Sequence, residues 1–248
     1  MVAFSGGQDS ALLLKVCSQI LPKASILAVT AVSATYPKDE LRKAKILAKD
    51  IGVKHKVIKT AELDNKKFTA NSIFRCYFCK KELFLKLIAI ARLNKFNFVL
   101  DASNLSDKLD YRPGNIAKKE LKIKSPLLEA GFSKSDIRKL SKSLGLPSWN
   151  KPSLACLASR IPYGSKITAD LLRRIDQAEA YLISLGFKQV RLRHHNGLCR
   201  IEVEKKYINC LLRNRQAIVE KLKNLGYNYI TADLEGYRTG SLNEVINR

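Results

Sequence analysis

A strand that turns through paired glycines into a helix opens this chain. The apolar run Val2–Phe4 is followed by Ser5-Gly6-Gly7-Gln8-Asp9-Ser10, and helical spacing then runs over about residues 8–20. Glycines at such a turn let the backbone approach a ligand closely, and the helix start directs N–H groups and a positive dipole end at an anion. Ser5 and Ser10 add hydroxyl donors. The spacing matches neither the dinucleotide fingerprint nor the Walker A sequence. An ordinary tight turn is the plainer alternative.

The segments that follow alternate strand and helix, which predicts a parallel sheet with crossover helices, an α/β fold. Strands are expected at Ser25–Thr30, Lys54–Ile58 and Phe96–Leu100, the last ending at Asp101. Helices are expected over Lys38–Ile51, closed by Gly52, over Glu82–Arg92, and from an N-cap at Ser133 to near Gly145. From Leu146 to Ser165 the text holds three prolines and little periodicity, a long loop of the kind that usually carries function. Beyond it lies a helix at Ala169–Leu185, with strands at Lys188–Arg193 and Leu198–Val203 joined through a turn at HHNG. A helix at about Lys205–Leu225 and a strand at Tyr227–Thr231 follow. The expected division is residues 1–164, an α/β domain with its loop, and residues 165–248, a small α+β domain.

No stretch approaches 18 uninterrupted apolar residues, so no membrane span is expected. With no leader pattern at the N-terminus, the expected location is the cytoplasm. Forty-five Lys and Arg against 22 Asp and Glu give a net charge of +23. Thirty of those are lysines spread along the whole chain, so the excess does not by itself separate a polyanion partner from a solvated surface.

Six cysteines occur, and in a reducing compartment ligation or catalysis outranks pairing. Cys17, Cys199 and Cys210 sit in apolar patterns and read as small hydrophobes. Cys76-Tyr77-Phe78-Cys79 stands just before a helix, where the dipole with Arg75, Lys80 and Lys81 favours thiolates. Cys156 lies in the proline-rich loop. Three cysteines can hold three irons of a four-iron cluster, or zinc with a fourth ligand, or a redox pair beside an unrelated thiol. Spacing leaves the three open.

The string SGGQDS resembles the pyrophosphate loop of the PP-loop ATP pyrophosphatases, which cleave ATP between its α and β phosphates and adenylate a substrate oxygen. A longer ordered set is more specific: Asp110-Tyr111-Arg112-Pro113-Gly114, Ser125-Pro126-Leu127-Leu128-Glu129-Ala130-Gly131, Lys151-Pro152, and Cys156-Leu157-Ala158-Ser159-Arg160-Ile161-Pro162-Tyr163-Gly164. Together they resemble, nearly end to end, the LarE family of ATP-dependent sulfur transferases that build the nickel-pincer nucleotide cofactor. Where that family tends to read DGTN, this chain reads Asp101-Ala102-Ser103-Asn104. The family usually has residues before the loop strand, whereas here the loop starts at residue 5.

The resemblance implies ATP bound by Ser5, Gly6, Gly7, Asp9, Ser10, Thr30, Asp101 and Arg112, with Mg2+ on Asp9. It implies a pyridinium dicarboxylate mononucleotide as substrate, held by Ser159, Arg160, Arg191 and Arg193. One branch of the family sacrifices a cysteine, at the position of Ala155 here. The other holds a [4Fe-4S] cluster on three cysteines, and Cys76, Cys79 and Cys156 resemble that branch. A sulfide donor and a homo-oligomer are implied as partners. The alternatives are an iron–sulfur tRNA thiolase, which would suit the +23 charge and bind nucleic acid, and a regulator that keeps the fold without turnover.

Overall fold

The computed structural model describes residues 1–109, 112–152 and 155–246. Asp110 and Tyr111 of the DYRPG motif, and Ser153 and Leu154 of the proline-rich loop, lie outside the described residues. The chain divides into two compact units, Met1–Leu154 and Ala155–Arg248, the second taking in the segment from Ala155 to Gly164. Among the described residues no helix is long and apolar enough to cross a membrane.

The first unit is a parallel sheet with helices on both faces. Its elements are β1 (Val2–Ala3), α1 (Gln8–Ile20), β2 (Leu27–Val32), α2 (Lys38–Ile51), β3 (Lys54–Lys59), α3 (Lys66–Thr69), α4 (Arg75–Leu93), α5 (Gly114–Glu120), α6 (Pro126–Glu129) and α7 (Lys134–Ser143). The strand order is β1-β2-β3, all parallel, with Val2 opposite Ala28 and Leu27 opposite Lys54. Leu100 bridges in parallel to Val2 on one side and to Lys124 on the other, widening the sheet beyond β1.

Alternate residues of β2 enter different cores, because side chains along a strand point to opposite faces. Ala28 packs with Val2, Phe4, the α1 residues Leu12 and Leu14, and the α2 residues Ala44 and Leu47. Leu27 and Val29 pack with Phe84, Leu87 and Ala91 of α4. A strand covered on both faces reads as the near-continuous apolar run seen in the sequence. The helix α7 starts at the expected Ser133, whose side chain accepts from the Asp136 amide while Asp136 caps in return.

The second unit contains α8 (Ala169–Ser184), β4 (Val190–His195), β5 (Leu198–Val203), α9 (Ile208–Arg213), α10 (Arg215–Asn224) and β6 (Tyr229–Ala232). β4 and β5 are antiparallel, β6 is parallel to β5, and α8 packs on β4. Leu172, Ile175, Ala178 and Leu182 give α8 one buried face.

Beyond shifts of one or two residues at strand ends, four segments differ from the sequence expectation. α4 begins at Arg75 rather than Glu82, so the CxxC motif lies inside its first turns. The expected strand at Phe96–Leu100 reduces to bridges at Leu100, whose amide donates to the Met1 carbonyl while its carbonyl accepts from Ala3; with only a two-residue strand beside it, no longer ladder forms. The expected helix over 205–225 breaks at Asn214, whose side-chain amide donates to the Cys210 carbonyl 2.8 Å away. Local bonding of that kind competes with helix continuation. Within the proline-rich loop, Leu157–Arg160 forms a 3-10 turn.

Candidate functional site

At the end of β1 the chain makes the glycine turn. Gly6 has φ +69°, and a Cβ there would stand 2.7 Å from the Cβ of Ala44, so only glycine lets the turn lie against α2. The Ser5 and Ser10 hydroxyls are 3.1 Å apart, and Ser10 Oγ accepts from the Ser5 amide and donates to the Gly7 carbonyl. Tyr36 OH donates to the Ser5 carbonyl at 2.8 Å. No side chain caps α1, whose N-cap is Gly7, so the amides of its first turn remain available for an anion.

A cleft of about 260 Å³ opens over this turn. Of the residues expected to meet ATP, Ser5, Gly7, Asp9, Ser10, Asp101 and Arg112 line it. Thr30 does not. It is 1% exposed, and its hydroxyl donates to the Phe4 carbonyl and pairs with His55 Nε2, so it ties β2 to the strand end. Gly6 shapes the turn from behind.

Four lysines complete the electrostatics. Lys80, Lys134 and Lys151 line the cleft. Lys134 Nζ meets Asp9 Oδ2, and Lys151 Nζ donates to the Gly6 carbonyl at 3.0 Å while pairing with Glu40 of α2. Lys118 Nζ lies 3.1 Å from Asp101 Oδ2. Asp101 also accepts from the hydroxyls of Ser103 and Ser125. Burial opposes ionisation of Asp101, yet Lys118 and those hydroxyls outweigh it and hold the carboxyl below its ordinary value. Asp9 goes the other way: burial raises its pKa against the pull of Lys134. Asp9 Oδ1 is buried with no hydrogen-bond partner, an oxygen that suits a hard divalent cation.

The cysteines sort by accessibility. Cys76 and Cys156 are exposed and Cys79 is partly so, whereas Cys17 and Cys199 are buried, the thiol of Cys199 pushed up to about 12 by burial; Cys210, expected to be buried with them, is only half-buried. Three residues apart on α4, Cys76 and Cys79 share one helix face. The Cys79 thiol donates to Glu62 Oε1 at 3.7 Å. Cys76 and Cys79 belong to the first unit and Cys156 to the second. Accessible thiols suit the soft donor set of an iron–sulfur cluster. Among the described residues, no three His, Cys, Asp or Glu side chains form a group that could hold a metal ion.

The three arginines expected to clamp substrate are all inside the second unit. Arg160 is 2% exposed, with Nε and Nη2 on the two oxygens of Glu179 at 2.9 and 2.7 Å. Its Nη1 donates to the carbonyls of Ala155 and Cys156 and to Ser159 Oγ. Arg193 grips Glu202 in the same two-pronged way at 2.9 and 2.8 Å, and its Nη1 donates to the Ser159 carbonyl. Arg191 donates to the Val190 carbonyl and lies over the Tyr237 ring; burial, then the neighbouring Arg160 charge, bring its pKa down to about 10. Arg160 and Arg193 border a second cleft of about 370 Å³ with His195 and Arg200.

A family model described as NAD synthase matches residues 1–75. A protein of Synechocystis sp. described as uncharacterized is 42% identical over 250 residues, covering 100% of this chain and 93% of its own length. The pyridinium-3,5-bisthiocarboxylic acid mononucleotide synthase of Lactiplantibacillus plantarum is 38% identical over 247 residues, covering 100% of this chain and 90% of that protein. This chain belongs to the LarE family. Among solved structures, NMN synthetase from Francisella tularensis matches 61% of the chain and 64% of its own at 18% identity and a TM-score of 0.49.

The LarE family is one of ATP-using enzymes, and in this member sequence reasoning missed the cleft lysines. Lys134 directly follows the Ser133 cap, and Lys151 stands in the Lys151-Pro152 pair quoted for the family resemblance, but nothing in their spacing says that both face the glycine turn. Lys118 and the Asp101 network were equally hidden.

Proposed function

We propose that this LarE-family chain is an ATP-dependent sulfur transferase that adenylates a carboxylate of a pyridinium dicarboxylate mononucleotide and replaces one carboxylate oxygen with sulfur. The observation that carries the reading is the cleft itself, in which an uncapped helix start and the serines of the glycine turn face Lys80, Arg112, Lys134 and Lys151. Such a set matches a polyphosphate in charge and donors. The 38% identity to the Lactiplantibacillus synthase supports the substrate class.

ATP lies with its phosphates over Ser5, Gly6, Gly7 and Ser10, with Asp9 holding magnesium and Asp101 and Arg112 bordering the nucleotide. Thr30 contributes by fixing the strand end on which the turn is built. Lys134 and Lys151 stabilise charge on the departing pyrophosphate. The substrate carboxylate attacks the α-phosphorus, pyrophosphate leaves, and an acyl-adenylate results. A sulfur nucleophile then displaces AMP and leaves a thiocarboxylate. Cys76, Cys79 and Cys156 would hold a [4Fe-4S] cluster, and such a group supplies an iron without a protein ligand that can carry the sulfide to be transferred. Ser159 of the Cys156 segment and Arg191 of β4 are the proposed contacts for the substrate. The work takes place in the cytoplasm, in a homo-oligomer, with an external sulfide donor.

The test is product mass. Anaerobically reconstituted protein given ATP, magnesium, sulfide and pyridinium-3,5-dicarboxylate mononucleotide should yield a product heavier by the exchange of one oxygen for sulfur. About four irons per chain, lost in Cys156→Ala, should accompany it. Iron absent from protein that still makes thiocarboxylate removes the cluster and keeps the activation chemistry. Sulfur appearing in tRNA instead would replace the reading by a tRNA thiolase, which the family relationship does not favour.

A further inference from the structure

Arg160 of the Cys156 motif and Arg193 of β4 look like anion clamps, but their forks are engaged within the protein. We infer that both are positioning residues: they hold the loop that carries Cys156, through buried pairs with Glu179 and Glu202, and do not bind the substrate. This rests on the proposal that Cys156 takes part in sulfur delivery.

Every nitrogen of the Arg160 guanidinium has a protein acceptor. Nε and Nη2 are bidentate on Glu179, and Nη1 points back at the loop, onto the carbonyls of Ala155 and Cys156 at 2.8 and 3.0 Å. Glu179 Oε1 also accepts the Leu192 amide at 2.8 Å, so one carboxylate joins α8, β4 and the loop. Arg193 repeats the device from β4. It is bidentate on Glu202, which is fully buried, and it donates to the Ser159 carbonyl and to Ser241 Oγ, both at 2.8 Å. The Ser159 amide in turn donates to the Cys156 carbonyl at 2.9 Å. The backbone of Cys156 is thereby held from both ends of its turn while its side chain remains exposed.

Displacement of either glutamate by a substrate carboxylate would strand a buried anion without its partner. That is among the costliest events inside a protein, so the pairs persist during binding. A planar fork suits this duty, since it fixes direction at two points and leaves a third nitrogen to hold a carbonyl. Loose thiols misplace a reacting sulfur, and small displacements of a reacting group lower rates steeply.

The experiment compares Arg160→Lys and Glu179→Gln with the wild-type full chain. Backbone amide exchange over residues 155–161 should quicken about tenfold in both, with exchange in α1 unchanged. Alkylation of Cys156 by iodoacetamide should change severalfold in both, with that of Cys76 unchanged. In turnover, kcat should fall about tenfold or more while KM for the dicarboxylate mononucleotide stays within about twofold. The outcome that overturns the proposal is a raised KM in Arg160→Lys alone, with Glu179→Gln normal and loop exchange unmoved in both. Should Arg160→Lys fail to fold, Ser241→Ala, which removes one hydroxyl from the Arg193 pair, should still quicken exchange in the same segment, and no change there or in Glu179→Gln contradicts the inference. Wild-type protein that makes no thiocarboxylate would sink the sulfur-transfer reading, whereas the exchange and alkylation results decide the loop's restraint independently.

Discussion

Two charged regions of this chain are built on opposite principles. Around the glycine turn, the cations are mostly lysines and the outer ones keep solvent access: the side chains of Arg112 and Lys134 are 47% and 38% exposed, those of Lys151 and Lys118 18% and 10%. The partners of the outer two, Asp107 and Asp9, are themselves at the cleft. Around Cys156 the cations are arginines, almost wholly buried and locked two-pronged onto glutamates. Accessible point charges on flexible stems can exchange a carboxylate for a phosphate as a ligand arrives. Buried forks cannot do so cheaply, and they serve geometry instead. A basic residue in a functional motif is therefore a ligand contact or a girder according to burial and partner, not according to the motif.

The largest effect should come from breaking a girder. Glu202→Ala leaves Arg193 uncompensated in the core and should cost about 3–5 kcal/mol of stability in urea titration. A loss under about 1 kcal/mol would place the pair among weak surface bridges. Gly6→Ala forces a side chain into the left-handed region and against Ala44, and should cost about 1–3 kcal/mol and abolish detectable ATP binding by calorimetry. Lys151→Ala should weaken ATP binding by about 1.5–3 kcal/mol, as a charge-assisted contact does, and should cost less stability than Glu202→Ala because Glu40 keeps Lys43 as an ion partner. Equal losses of stability in Lys151→Ala and Glu202→Ala would erase the contrast between the regions.

The smallest effect concerns pH. The folded-state pKa of Asp101 is below its unfolded value, so its ionised form contributes stability above the unfolded pKa, near 3.9. That contribution is lost as pH falls through the lower folded value. Asp101→Asn should therefore flatten the acid limb of the stability profile, measured by urea midpoints from pH 6 down to about 3. A limb of unchanged slope would mean that Lys118 and the serines do not favour the ionised form.

Much of this architecture was legible in the residues because it rests on local rules. The apolar spacing of α2 and the glycine after it give its bounds, and the Ser133–Asp136 pair marks the start of α7. The glycine turn was legible for the same reason. What remained hidden depends on distant partners. Glu179 lies nineteen positions beyond Arg160, on a helix of its own, and no local pattern couples them. Lys134 and Lys151 are two among thirty lysines until the fold brings them to one cleft. Thr30 stands inside β2 where a nucleotide contact is expected, but its hydroxyl is taken by the Phe4 carbonyl and His55. The early start of α4 escaped notice because its N-cap is Phe74, with no side-chain cap to announce it.

The most direct measurement is substrate-dependent pyrophosphate release in a single turnover, for wild type, Lys151→Ala and Cys156→Ala. Wild type should release pyrophosphate only when the dicarboxylate mononucleotide is present. Release should be retained in Cys156→Ala, which forms the adenylate without passing on sulfur, and strongly reduced in Lys151→Ala. Release that ignores the dicarboxylate, or that disappears in Cys156→Ala while Lys151→Ala stays normal, would contradict the proposed mechanism.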